Sequence, residues 1–401
     1  MPAPRSLCIV DPMATRRLGF FALGLDAVVM LLTAGSLPAF AAAWHVPQDV
    51  AGFVFTANGL GFVAAVLAAG LLADRHGKRA VGAASAAALG LGVILFSQSG
   101  TLAAGLLAAA VVGAGAGSVE SLVTALLPDL YPGREGYANN FAQVFFSIGA
   151  TAGPLLLLPG GLSWRPRLLL CGLAWLVVAA GLWRERGQDR PTAYGPVAGA
   201  GWAAPLDVLR TPGVWSTVAA MALYTGVEVA AWGWLFAVVT RPGGFGPAWA
   251  VAELSGFWLA MGVGRWLSSH LAERADLSRL IGVQAAAGIP TLLLALLLRR
   301  RVGALLAVLA CGLALSGLWP SIVALGQRRH GRSAALASLL VGAGAAGSLL
   351  VPVAFGLVRT RIGLPVAAAG LALLLAPVAP LCRAREANLG VSGIPEPRRA
   401  R

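Results

Sequence analysis

The chain has 401 residues, of which 58% are hydrophobic and 11% charged, where a soluble globular domain carries roughly 25% charged residues. With a mean hydropathy of +0.79 there are too few polar residues to cover a fold of this size in water, which excludes a soluble enzyme and makes lipid the solvent for most of the chain. The formal net charge is +14 and Lys78 is the sole lysine among the basic residues, so the charge has to be mapped onto loops before it says anything about partners.

The segment up to Arg17 has no apolar run ending in a small-residue cleavage site, and no signal peptide is expected. A membrane helix needs about 20 mostly apolar residues, at about 1.5 Å rise each, to cross about 30 Å of hydrocarbon. Twelve stretches meet this requirement: 18–40, 51–73, 80–97, 102–127, 140–162, 168–183, 214–239, 248–270, 280–298, 302–326, 335–358 and 363–382. The segment 184–212, rich in Pro, Gly and charge, divides six spans from six. The expected organisation is an N-terminal six-helix bundle over 1–183, a linker over 184–212, and a C-terminal six-helix bundle with a short tail over 213–401.

Placing the N-terminus inside leaves 21 basic residues in inner segments and 8 in outer loops. Because cytoplasmic loops retain Lys and Arg, this predicts a multi-pass protein of the plasma membrane with both termini and the linker in the cytoplasm. Much of the positive charge is therefore a topology signal, and no nucleic-acid partner is expected.

The halves repeat. Gly24-Leu25-Asp26 is echoed by Gly226-Val227-Glu228, Leu72-Ala73-Asp74-Arg75 by Leu271-Ala272-Glu273-Arg274, Gly133-Arg134 by Gly331-Arg332, and Gly153 by Gly347. Nearly constant offsets between spans of the same direction predict two pseudo-repeats related by an axis along the membrane normal, an architecture that transporters use.

A charge near the bilayer centre costs at least about 2.5 kcal/mol, so Asp26, Glu120 and Glu228 are functional candidates by default. Glu120, set among Gly and Ser, is the first candidate for carrying a proton, with Asp26 and Glu228 beside it; the competing reading is a carboxyl that only hydrogen-bonds neighbouring helices. Asp26 is expected near the inner end of span 1, Glu228 suits a structural or gating role, and Glu253 is expected at the water boundary. In span 5, Asn139, Gln143, Ser147 and Thr151 recur every four residues and share one helical face. Such a stripe suits either a solute rich in hydroxyls or a helix-packing seam. Tyr224, Glu228 and Trp232 share a face of span 7, and Trp319 lies within span 10; aromatic faces there stack on a solute or act as filler. Arg265, near the inner end of span 8, is expected to snorkel toward the cytoplasmic side.

The cysteines, Cys8, Cys171, Cys311 and Cys382, are scattered singly, and the histidines, His45, His76, His270 and His330, fall in or beside loops without a common cluster. No metal site, cofactor or catalytic set is expected. No phosphate-cradling Gly-rich loop ending in Lys and Ser/Thr is present, so ATP is not the expected energy source.

The turn between spans 2 and 3 reads Gly70-Leu-Leu-Ala-Asp74-Arg75-His-Gly77-Lys78-Arg79, and it resembles the signature loop of the major facilitator superfamily. The resemblance implies an all-α membrane protein with twelve transmembrane helices in two six-helix pseudo-repeats, working mostly as a monomer in the lipid. It also implies a cytoplasmic latch at Gly70, Asp74, Arg75, Gly77, Lys78 and Arg79, with Arg265 reaching toward it. Within the superfamily, the segments Leu223 to Val229, Ser255 to Trp258 and Gly262 to Arg265, with Gly113 to Glu120 and Gly149 to Pro154, are similar to the fucose permease group of sugar/proton symporters. That similarity implies a small sugar-like solute and protons as the coupling ion through Glu120; the candidate solute contacts, Asn139, Gln143, Ser147, Tyr224, Trp232 and Trp319, come from the polar stripe of span 5 and the aromatic faces of spans 7 and 10. Ala34 stands where the group carries its span-1 acid, Asp26 lying more than two turns earlier, and Thr124 stands where it carries an asparagine. An efflux antiporter for hydrophobic compounds and a non-transporting sensor are the alternatives.

Overall fold

A computed structural model describes residues 12–131, 133–156, 163–185, 207–239, 247–298 and 300–383, and every regular element among them is helical. The first six spans comprise α1 (Pro12–Gly35), α2 (Leu37–Trp44), α3 (Gln48–Ala51), α4 (Phe53–His76), α5 (Lys78–Gln98), α6 (Leu102–Leu126), α7 (Glu135–Leu155) and α8 (Trp164–Glu185). The next six comprise α9 (Val214–Val239), α10 (Pro247–Arg274), α11 (Leu277–Leu297), α12 (Arg301–Leu315), α13 (Leu318–His330), α14 (Ala334–Arg361), α15 (Leu364–Leu373) and α16 (Val378–Arg383). Four predicted spans therefore consist of two helices or carry an extra turn.

The breaks follow from proline chemistry. Proline has no N–H, so the carbonyl four residues before it loses its intrahelical donor. Pro38 follows the break between α1 and α2, Pro377 lies in the break between α15 and α16, and Pro320 leaves Ser316 O free where α12 gives way to α13. Span 5 starts at Glu135 rather than 140, and the polar residues of its first turns, Asn139 and Asn140 among them, are buried within the bundle.

Among the described residues, ten helical segments are long and apolar enough to cross a membrane. The spans outside that set are α7 and α10, which carry polar side chains such as Asn139, Gln143 and Arg265 that are buried in the bundle. On the outer wall, Leu107, Val177, Val302 and Leu350 stand between 68% and 74% exposed. In water such a surface would drive aggregation; in hydrocarbon it is the expected wall.

Two large apolar clusters fill the bundle. One, around Phe40, Leu89, Phe96 and Trp175, belongs to α1–α8. The other, around Met221, Phe257, Ile281 and Leu315, belongs to α9–α16 and takes in Ala27, Leu31, Val66 and Ala150 from the first half. Two antiparallel helix pairs run along the seam between these groups. α4 lies antiparallel to α14, with Asp74 against Ala334 at one end and Gly59 against Leu349 toward the other. α7 lies antiparallel to α10, with Gly136 against Ala272 and Thr151 against Ser255. At Gly70 a Cβ would stand 2.2 Å from Ser338 Oγ and 2.7 Å from Ala334 O, so only glycine allows that approach of α4 to α14.

Candidate functional site

Between the two groups of helices lies a cavity with two connected lobes of about 200 and 300 Å³, on the scale of a pocket for a small organic molecule. Asp26 on α1 and Glu120 on α6 line the smaller lobe; Glu120, Gln143, Glu228, Arg265 and Trp319 line the larger. Trp232, Phe62, Phe146 and Asn58 border both. Neither Asp26 nor Glu120 has a hydrogen-bond or ion-pair partner among the described residues. Three acids and one base therefore surround a mostly apolar chamber, and two of the acids face it without a protein partner.

Those side chains reach the chamber because small residues let the helices behind them close up. Gly113 packs on the backbone of α4, where a Cβ would stand 1.9 Å from Asn58 O, and Gly149 packs on α1, 1.9 Å from Gly24 O. α6 and α7 can thereby press against α4 and α1, which turns Glu120 and Phe146 inward.

Arg265 is 2% exposed. Its Nη2 lies 3.5 Å from Glu228 Oε1, Nη1 donates to Gln143 O at 3.1 Å and Ser147 Oγ at 2.8 Å, and Nε donates to Ser316 O at 3.2 Å. A guanidinium taken out of water needs this many partners, since an unpaired buried charge costs several kcal/mol. The expectation that Arg265 snorkels to the latch is thus corrected: a buried carboxylate, the carbonyl freed at Ser316, and Gln143 O with Ser147 Oγ hold it in the middle of the bundle.

The residues expected to form the latch lie at one end of the seam. Both carboxylate oxygens of Asp74 accept backbone N–H groups at the start of α14, Ala334 at 2.9 Å and Ala335 at 3.0 Å, an N-terminal cap supplied from the opposite half. Gly77 takes φ +92° in the turn after α4, a conformation that favours glycine. Arg75 closes the last turn of α4, and Arg79 is buried on α5. Lys78 pairs within its own half, with Asp129 at 2.6 Å and Ala125 O at 3.0 Å. At the same end Glu135 sits 3.3 Å from Arg332 and 3.6 Å from Arg328, and Arg134 bonds Glu273.

The span-5 stripe divides three ways. Gln143 lines the cavity. Asn139 does not: its Nδ2 donates to Gln327 Oε1 at 2.9 Å, and Gln327 Nε2 donates to Thr124 O at 3.1 Å, so it belongs to the seam. Ser147 and Thr151 line a groove of about 610 Å³ on the outer face between α7 and α10. Tyr224 is fully buried with its hydroxyl on Leu315 O at 2.9 Å and does not border the cavity. Asp26, expected near the inner end of span 1 beside basic loop residues, faces the chamber instead. Glu253, expected within reach of water, is 3% exposed and accepts from Trp249 Nε1 at 2.8 Å.

Sequence reasoning passed over Gln327, which abuts Arg328 and reads as the start of a loop, and Asn58, a lone amide in an apolar run. Pro320 was the available signal for the break beside Arg265.

The sequence model of the Major Facilitator Superfamily matches residues 19–352. No curated protein matches the chain in sequence. Among solved structures the chain is similar to FucP, the E. coli fucose:proton symporter, in its outward conformation, with 21% identity over 94% of this chain and 99% of that one and a TM-score of 0.76. It is similar to the human organic anion transporter TETRAN, at 19% identity over 93% and 100% with a TM-score of 0.68, and to the proton:xylose symporter XylE, at 14% over 92% and 94% with 0.70. With a family match over most of its length and a helical fold shared with these proteins, the chain belongs to the Major Facilitator Superfamily as a multi-pass membrane transporter.

Proposed function

We propose that this protein is a secondary active transporter that moves a small, sugar-like solute by alternating access, coupled to protons at Glu120 and Asp26. The observation that carries the reading is the pair of carboxyl groups, from α1 and α6, that face the cavity without a protein partner among the described residues. A carboxylate in that position gains from taking a proton or a solute hydroxyl, because each relieves a bare charge in a low-dielectric chamber. Asn58 and Gln143 add amide donors and acceptors, and Trp232 and Trp319 offer faces for the apolar side of a sugar ring. The proton-coupled sugar transport of FucP and XylE supports the same chemistry here. In this reading bundles 1–183 and 213–401 rock about the cavity in the plasma membrane, the linker 184–212 and both termini lie in the cytoplasm, and one chain suffices.

A second reading, efflux of a lipophilic cation in exchange for protons, is favoured by one feature: three acids against one base within mostly apolar walls that include Phe62, Phe146, Trp232 and Trp319. Proteoliposomes loaded with a pH dye separate the two. Under the first reading, fucose, xylose or a related sugar added outside acidifies the lumen, and Glu120→Gln abolishes the signal. Lumenal alkalinisation by lipophilic cations alone would replace the sugar reading with efflux. A sugar response that survives Glu120→Gln would remove Glu120 from the coupling.

A further inference from the structure

The break in span 10 leaves two carbonyls at the end of α12 to be satisfied from elsewhere. Pro320 cannot donate to Ser316 O, and Arg265 Nε does so; the carbonyl of Leu315 takes the Tyr224 hydroxyl. The segment beyond the break, α13, carries one cavity wall and much of the seam at the latch end. Trp319 lines the cavity, Ser321 Oγ accepts from Asn140 at 3.3 Å, Gln327 engages Asn139 and Thr124 O, and Arg328 sits 3.6 Å from Glu135. Arg265 also binds α7 of the opposite half through Gln143 O and Ser147 Oγ, and Glu228 through Nη2. One guanidinium thus touches the span-10 break, the opposite half and a cavity carboxylate.

We infer that Arg265 is a positioning residue that ties the charge of Glu228 to the seam: with Glu228 ionised, the guanidinium is held across Ser316 O and α7, and neutralising Glu228 lets α13 and α7 part. The groups facing Arg265 are Glu228, Glu120 across the same lobe, and Tyr224 beside Glu228. Glu228 is the acid in ion-pair range, so a proton or a solute hydroxyl on it removes the anchor that aims the guanidinium. The inference rests on the alternating-access reading but needs no knowledge of the solute.

The test uses spin labels at His76→Cys and Arg274→Cys, exposed positions at the latch end on α4 and α10, with the native cysteines replaced, and pulsed electron-spin distances in proteoliposomes without solute. The parent should give mainly the short distance. Glu228→Gln and Arg265→Gln should each raise the long-distance population about tenfold, the loss of one charge-assisted hydrogen bond, and the double variant should add nothing further. Arg265→Lys keeps a charge for Glu228 but lacks the fork that reaches Ser316 O and α7 together, and should open like Arg265→Gln. Unchanged distances in Glu228→Gln, additive effects in the double variant, or a closed Arg265→Lys would each overturn the inference. Glu228→Gln and Arg265→Lys retain the packing volume, so the test stands if Arg265→Gln does not fold. Distances that shift as expected in a protein inactive toward every solute would leave the clamp standing and remove the transport reading alone.

Discussion

Replacing Asp74 by alanine removes two hydrogen bonds that no other described side chain can supply. Ala334 N and Ala335 N each donate to one oxygen of the Asp74 carboxylate, while Leu336 N keeps its own cap on Ser333 Oγ at 3.1 Å. A hydrogen bond to a charged group is worth about 1.5–3 kcal/mol net. Taking the lower figure for each gives about 3 kcal/mol, with the helix-dipole contribution included in it. At about 1.4 kcal/mol per factor of ten, amide exchange at the start of α14 should accelerate roughly 100-fold. The close approach at Gly70 and the alanine cluster of Ala69, Ala73, Ala334 and Ala337 remain, so the change should stay local. Hydrogen–deuterium exchange on a peptide covering 333–340, compared with one from α12, reads this directly. Asp74→Asn keeps one neutral acceptor and should fall near 10-fold. Acceleration under threefold in Asp74→Ala would refute the assignment of Asp74 as the cap of α14.

Gly347→Ala should destabilise the detergent-solubilised protein by about 2–3 kcal/mol, because the new Cβ would stand 1.9 Å from Ala222 O and a backbone atom cannot turn aside; Gly370→Ala, with nothing within 4 Å, should be neutral or slightly stabilising, and equal thermal shifts for the two would contradict the packing argument. Glu273→Ala should change exchange at the start of α7 by less than about threefold, since the Arg134–Glu273 pair is largely exposed; a loss matching that of Asp74→Ala would mean that the two ends of the repeat are equivalent.

The spans were legible because hydrocarbon imposes one rule on every residue that crosses it, and the acids because the same solvent makes them costly. The breaks were less so: Pro320 sits in an apolar run that reads as continuous, and only the donor it lacks reveals a free carbonyl at Ser316. The span-5 stripe shows where periodicity stops. Asn139 to Thr151 is a line about 18 Å long at about 1.5 Å per residue, longer than one chamber, so a single helical face passes from the seam to the cavity and then to the outer groove. Four-residue spacing gives the face but not the depth. Arg265 was misread for a related reason. Position along span 8 suggested the water interface, whereas what holds the side chain is a carboxylate on α9 and carbonyls on α7 and at the span-10 break, none of them near it in sequence.

The sequence repeat also conceals an asymmetry in how the seam is held. Asp74 and Glu273 occupy equivalent places, yet Asp74 caps a helix of the opposite half with both oxygens, while Glu273 meets an exposed arginine side chain. A cap on backbone amides is fixed by the helix that presents them and is screened little; an exposed pair is free to exchange with water and salt. The α4–α14 contact therefore has a strong polar tie at its latch end, and α7–α10 has a weak one there. The α7–α10 contact is strengthened deeper in the bundle, where Arg265 reaches Gln143 O and Ser147 Oγ. Of these three polar ties, only the one through Arg265 lies against the cavity, so binding there can reach the α7–α10 seam through a single side chain and has no comparable route to Asp74.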